Sequence, residues 1–101
     1  EKIITSLPDV IITSNDLIAQ GIISAAHENG INIPNDMQIT GFDDSLSSAY
    51  FIPSITTVSQ NIDELAKRCF SMLMDLINKK NSVSSIIEQN IIARNSAKVN
   101  T

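Results

Sequence analysis

Asn15 and Asp43 are the side chains best placed to do chemistry in this sequence. Asn15 follows Val10 to Ile12, an apolar, β-branched run without alternation, which predicts a strand buried on both faces. Asp43 follows Met37 to Phe42, a second predicted strand. If the two strands are neighbours in a parallel sheet, both side chains face one pocket, because such sheets bind ligands beyond the carboxyl ends of their strands. An amide and a carboxylate suit a polyol. Asn offers a donor and an acceptor, and an ionised Asp accepts from two hydroxyls. The plainer alternative is that Asn15 only caps a helix and Asp43 only ends a strand. For Asp16 and Asp44, the second member of each pair, capping or bonding to loop backbone is the expected role.

Other chemistries find less support. Asp43-Asp44 could supply carboxylates to Mg²⁺, but a phosphoryl-transfer site also needs a cation at another strand end, and Lys67, Lys79 and Lys80 fall on a helix. His27 stands alone near a helix end and reads as solvated. Cys69 falls at a helix core position and reads as a buried small hydrophobe. Arg94, ending the last strand, is expected in a structural salt bridge or a carbonyl contact. There is no Gly-rich phosphate loop, Ser-His-Asp set or His-Glu helix motif. None of these patterns by itself marks a catalytic, metal or cofactor site.

The elements that must position these residues are legible in order. Ser14, Asn15 or Asp16 can cap a first helix, in which Ile18, Ile22, Ala25 and Ala26 share a face and Asn29-Gly30 supplies the stop. Residues 31–36, with their Pro and Asn-Asp pair, form a loop. Ser45 to Ala49 predicts a loop or one loose turn, and Ile55 to Val58 a third strand. A second helix is marked by Ile62, Leu65, Ala66, Cys69, Phe70, Leu73, Leu76 and Ile77 at spacings of three and four. Asp63 and Glu64 in its first turn and Lys79 and Lys80 at its end suit the helix dipole. A Ser-rich connection leads to a last strand within Ile86 to Ala93, and the tail from Asn95 should be loose. Ile3, Ile4 and Leu7 could close a preceding helix, so the chain is expected to begin mid-fold. The fold class is α/β, a parallel sheet flanked by helices.

Composition bounds the rest. The chain has 101 residues, a net charge of −4 and scattered basic residues, which argues against this segment gripping nucleic acid by itself. The single Cys69 excludes an intrachain disulfide and a cysteine zinc motif, and a reducing, cytoplasmic setting is the easier reading. No run is long enough to span a membrane.

Four segments carry a family resemblance. The run from Asp9 to Gly21, DVIITSNDLIAQG, resembles the "pdai-a-ND-xA-x-G" segment of the lactose/galactose repressor (LacI/GalR) family. Asn29 to Asp44, NGINIPNDMQITGFDD, is similar to "G-xx-(I/V)-P-xD-(V/I)-x-(V/I)-x-G-(F/Y)-D-(D/N)". Pro53 to Gln60, PSITTVSQ, is similar to "P-x-L-T-T-(V/I)-x-Q", and Ile92 to Ser96, IARNS, to the closing "(V/I)-x-R-x-S". Four such segments, in order and at family spacing, cover nearly the whole chain.

The resemblance implies the C-terminal part of an effector-binding core with a partial periplasmic-binding-protein-like type I fold, a binding module without metal or cofactor and not an enzyme. Residues 1–59 would belong to the C-terminal subdomain, 60–80 to a crossover helix of the N-terminal subdomain, and 81–101 to a returning strand and tail. Asn15 and Asp43 would contact the effector, usually a sugar or a purine. Gln60 and Ile62 match crossover positions near it. Several members have an aromatic where Ile62 stands, so ring stacking is weakened here and apolar packing at the helix start is the alternative. Tyr50, Phe51 and Ile52 form an apolar loop cluster that suggests a contact surface. By resemblance they lie with Gln20 at a homodimer interface. Operator DNA would be read by a headpiece absent from this chain. Alternatives are a periplasmic sugar receptor of the same fold, although Asp44 stands where many of those have Gly, and a flavodoxin-like Mg-dependent phosphoryl-transfer domain. A partial sheet beside one strongly amphipathic helix should self-associate, with that helix exchanged between copies.

Overall fold

The computed structural model describes residues 6–98. The helix end expected around Ile3 and Ile4 and the last residues of the tail lie outside them. The elements are β1 (Val10–Ile12), α1 (Asp16–Glu28), β2 (Gln38–Thr40), a 3-10 turn (Leu46–Ala49), β3 (Thr57–Ser59), α2 (Ile62–Ile77) and β4 (Asn90–Ile92). β1 and β2 pair in parallel with Ile11 opposite Ile39. Thr40 bridges in parallel to Thr56, which leads into β3, and β4 returns antiparallel to β3 with Ile91 opposite Val58. β1 spans its apolar run, β2 and β4 are shorter than theirs, and β3 lies one to two residues beyond the expected Ile55 to Val58.

The core lies between α1 and the β1–β2 pair. Ala19, Ile23, Met37, Ile39 and Ile55 are buried there, with Ile11, Ile22, Ile31, Ile33 and Phe51 packed against them. α1 begins on Asn15, whose Oδ1 accepts from the Ile18 N–H at 2.9 Å, and stops where Gly30 takes a φ of 71°, a conformation glycine adopts without steric cost.

Five expectations are corrected. The tail is not loose at its start: Ser96 is fully buried, and its hydroxyl donates to the Ile39 carbonyl at 2.6 Å and accepts from the Thr56 N–H at 2.9 Å. β1 is not buried on both faces, since Ile12 is 80% exposed. Val10 and Ile12 point away from the α1 side, as the period of two requires, and no described element covers that face. The inward face of α1 is Asp16, Ala19, Ile23 and Ala26 rather than Ile18, Ile22, Ala25 and Ala26. α2 has the expected length and apolar stripe, but none of its residues is buried, and Phe70 is 65% exposed. Cys69, on the same helix, is exposed for the same reason.

The rotation of α1 follows from a buried carboxylate. Asp16 is 1% exposed. Its Oδ2 accepts from the Ser45 N–H at 2.8 Å and the Ser48 hydroxyl at 2.5 Å, and its Oδ1 accepts from the Thr57 hydroxyl at 2.6 Å. A buried charge is tolerated only when its lone pairs are satisfied. These donors come from the 3-10 turn and β3, so satisfying them turns Asp16 inward and fixes which side of α1 faces the sheet. The Asp16 N–H also donates to the Phe42 carbonyl at 3.0 Å. Gly41 leaves room for this arrangement: a Cβ there would sit 2.1 Å from Asp16 Oδ1 and 3.1 Å from its Cα.

Burial by itself would raise the pKa of Asp16, but the hydrogen bonds from Ser48, Thr57 and Ser45 together outweigh it and hold the carboxyl below its ordinary value of 3.8. A lowered folded-state pKa contributes stability that is complete above the unfolded value and is lost as pH falls through the folded one. Urea unfolding should therefore show an acid-dependent loss below the ordinary carboxyl range, and Asp16→Asn should flatten that part of the profile. At neutral pH the same substitution turns one acceptor into a donor facing donors and should cost about 2–3 kcal/mol. Gly41→Ala should destabilise by a similar amount, about 2 kcal/mol. In a double-mutant cycle it should cost clearly less once Asp16 is replaced by Ala, because the two residues compete for one space.

Candidate functional site: a cleft at the strand ends

The turns after β1 and β2 meet at one end of the sheet. Asn15 and Asp43 line the same hollow of about 390 Å³, together with Asp16, Leu17, Gln20, Ser45 and Ser47. The convergence expected of these two residues is therefore present. Asn15 keeps both roles open: its Oδ1 caps α1, and its amide nitrogen has no protein partner among the described residues. Asp43 is exposed, and its φ of 106° is a conformation that residues with a Cβ rarely adopt. Its backbone N–H donates to the Val58 carbonyl at 3.0 Å.

Asp43 also lines a second hollow of about 590 Å³, with Asp44, Leu46, Ser59, Asn61, Ile62, Asp63, Glu64 and Lys67. Gln60 donates from Nε2 to Asp43 Oδ1 at 2.5 Å, and the other carboxylate oxygen has no protein partner among the described residues. Ile62, at the start of α2, lines the wall opposite this turn. Gln60 and Ile62 thus stand beside Asp43, as placed by the crossover from β3 to α2. The wall carries several carboxylates and one lysine. The Asp44 carboxylate pairs with Arg94, whose Nη2 lies 2.8 Å from its Oδ1. Arg94 also donates from Nη1 to the Ile55 carbonyl at 3.0 Å, so it makes both contacts expected of it. With Asp44 paired and Asp43 held by Gln60, the two carboxylates are not arranged as a joint metal site. The described residues hold no cluster of three or more His, Cys, Asp or Glu able to take a metal ion.

Of the remaining candidates Gln20 lines the first hollow, whereas Tyr50, Phe51, Ile52 and His27 line neither. Tyr50 and Ile52 are 85% and 90% exposed, whereas Phe51 packs partly against the core. Gln20 donates from Nε2 to the Ser47 hydroxyl at 2.7 Å. His27 is exposed. No helix among the described residues is long and apolar enough to cross a membrane.

Sequence reasoning missed two residues. Asn61 has a left-handed φ of 53° and does not cap α2. Instead its side-chain amide donates to the Glu88 carbonyl and accepts from the Asn90 amide at 3.3 Å, which ties the entry to α2 to the return into β4. Asn immediately before an amphipathic run signals a cap, and only the neighbouring strand diverts it. Thr57 links both carboxylate pairs, because its hydroxyl donates to Asp16 and accepts from the Asp44 N–H at 3.2 Å. A Thr inside a strand carries no signal of that kind.

The chain matches the family described as a periplasmic binding protein-like domain over residues 1–97. It is 37% identical over 81 residues to the HTH-type transcriptional repressor PurR of Erwinia tasmaniensis, covering 80% of this chain and 24% of that protein. It is 34% identical over 95 residues to the PurR repressor of Pasteurella multocida, covering 92% of this chain and 28% of the relative. Among solved structures, the periplasmic binding ribose operon repressor protein from Lactobacillus acidophilus superposes with a TM-score of 0.84 at 37% identity, covering 90% of this chain and 35% of that one. A LacI transcriptional regulator from Alkaliphilus metalliredigens, complexed with D-xylulofuranose, superposes at 0.83 and 32% identity, again over 90% and 35%. The chain spans about a quarter of the length of the curated relatives it matches. These relatives favour the repressor reading over a periplasmic receptor or a phosphoryl-transfer domain. The chain belongs to the periplasmic binding protein-like domain family, in the form found in the effector-binding core of LacI/GalR-type regulators.

Proposed function

We propose that this chain is the effector-sensing part of a LacI/GalR-type transcriptional regulator, a binding module and not an enzyme, whose effector is a sugar or a related polyol. The observation that carries the proposal is the shared hollow of Asn15 and Asp43 at the carboxyl ends of two adjacent parallel strands, the place where open α/β sheets bind ligands. The free amide nitrogen of Asn15 donates to a ligand oxygen, and the carboxylate oxygen of Asp43 not used by Gln60 accepts from a hydroxyl. Gln60 and Ile62 contribute a polar and an apolar contact from the crossover. A solved relative with D-xylulofuranose bound and another described as a ribose operon repressor support a sugar over other polar ligands.

In the full-length protein, bound sugar favours one arrangement of the two subdomains. That arrangement sets the spacing of the DNA-binding headpieces across a homodimer and so the affinity for operator DNA. The dimer contact is made by Gln20 and by the loop holding Tyr50, Phe51 and Ile52. Tyr50 and Ile52 supply its exposed apolar part, and Phe51 braces the loop from beneath.

Two measurements check this reading. Asn15→Ser retains a capping oxygen but loses the amide donor. Calorimetric titration of the full-length regulator with pentoses and hexoses should show affinity reduced about 10–100-fold by Asn15→Ser and by Asp43→Asn. Thermal stability should change little for Asn15→Ser. Wild-type sugar affinity in both variants would sink the assignment. Separately, Ile52→Glu should shift the full-length protein from dimer towards monomer in analytical ultracentrifugation, and an unchanged dimer constant would remove this loop from the interface.

A further inference from the structure

We infer that Arg94 is a positioning residue for the effector. Through Asp44 it holds the left-handed turn that aims the Asp43 carboxylate into the cleft. The inference rests on the effector site proposed above and adds to it a residue that lies on neither of the strands flanking the hollow.

Asp43 and Asp44 have consecutive positive φ angles of 106° and 52°. For residues with a Cβ this is a sparsely populated backbone, and it persists only when the surroundings over-determine it. Three ties do so. The Asp43 N–H donates to the Val58 carbonyl at 3.0 Å, the Asp44 N–H donates to the Thr57 hydroxyl at 3.2 Å, and the Asp44 carboxylate meets Arg94 Nη2 at 2.8 Å. The first two are neutral, and the second is long. The third joins two charges, and it alone reaches outside β3.

Arg94 is itself fixed. Its second guanidinium nitrogen, Nη1, donates to the Ile55 carbonyl at 3.0 Å. Its backbone N–H donates to the Thr56 hydroxyl at 2.9 Å, and its carbonyl accepts from that hydroxyl at 3.1 Å. Immediately after it, the Asn95 and Ser96 N–H groups donate to the Ser54 carbonyl at 3.1 and 2.8 Å. The Arg94 and Asp44 side chains are 17% and 28% exposed. The pair is therefore shielded from water more than a surface ion pair, whose worth is small, and removing one partner strands the other. A guanidinium can serve a carboxylate and a carbonyl in one plane, whereas an ammonium is a point charge on a flexible stem. Arg94 follows β4, the strand that returns from α2. The ion pair therefore joins the ligand turn directly to the chain coming back from the crossover.

The test uses the full-length regulator and the tightest-binding sugar from a panel of D-ribose, D-xylose, D-xylulose and D-glucose, titrated calorimetrically well below each variant's melting temperature. Arg94→Gln and Asp44→Asn should each weaken binding about tenfold or more. The double variant should be no weaker than the worse single one, and Arg94→Lys should fall between wild type and Arg94→Gln. A residue that only supports the fold would lower the melting temperature and leave the affinity of the folded protein unchanged, and that outcome overturns the inference. If Arg94→Gln fails to fold, Asp44→Asn and Arg94→Lys decide by the same criterion. Asp43→Ala separates the two levels. Lost binding in Asp43→Ala with wild-type affinity in Arg94→Gln and Asp44→Asn rejects Arg94 alone. Wild-type affinity in Asp43→Ala, or no binding of any panel sugar to the wild type, rejects the effector site on which the inference rests.

Discussion

The buried carboxylate of Asp16 is the constraint on which the rest of the described structure depends. Burying a charge without partners is costly, so the donors from Ser45, Ser48 and Thr57 must all arrive at one point. Their arrival brings together the start of α1, the 3-10 turn and β3, segments that are far apart in sequence. Gly41 belongs to the same constraint, since any side chain at that position would occupy the space of the carboxylate. The apolar core is small and lies on one side of the sheet. The polar knot therefore does part of the work of locking the elements in register.

The same constraint shapes the cleft. Asp16 is turned inward, so the residue before it, Asn15, is left at the rim with one donor to spare. The second turn repeats the division. Asp44 is turned towards Arg94 and used by the fold, while Asp43 faces the hollow with Gln60 beside it. In both turns the carboxylate of the second residue is a structural anchor, and the side chain of the first lines the hollow. Thr57 connects the two anchors, accepting from one turn while donating to the other.

The element pattern was largely readable from the residues. The second helix runs over the stretch its three-and-four spacing marks, from Ile62 to Ile77. The first helix starts on Asn15, one of the three candidate caps Ser14, Asn15 and Asp16, and stops at Asn29, within the expected Asn29-Gly30. Burial was not readable in the same way. Apolar periodicity places Cys69 inside, and an unbroken apolar run places Ile12 in a doubly covered strand, yet both are exposed. Periodicity reports which face can be covered, and coverage itself depends on what is packed there. The rotation of α1 was misjudged because a carboxylate lies on its inward face, and a hydrophobicity pattern counts a carboxylate as outward.

The sequence alone determined the α/β order, the extent of the second helix, the stop of the first, and the polar tips after the first two strands, because these follow from local propensity, capping chemistry and short-range periodicity. Only the tertiary structure decided that Asn15 and Asp43 share one hollow, that Asp16 and Asp44 face inward, and that Arg94 and Thr57 hold them. Those pairings join residues 16 with 57 and 44 with 94. Contacts at that separation leave no periodic or compositional trace, because they are set by how the strands stack beside one another.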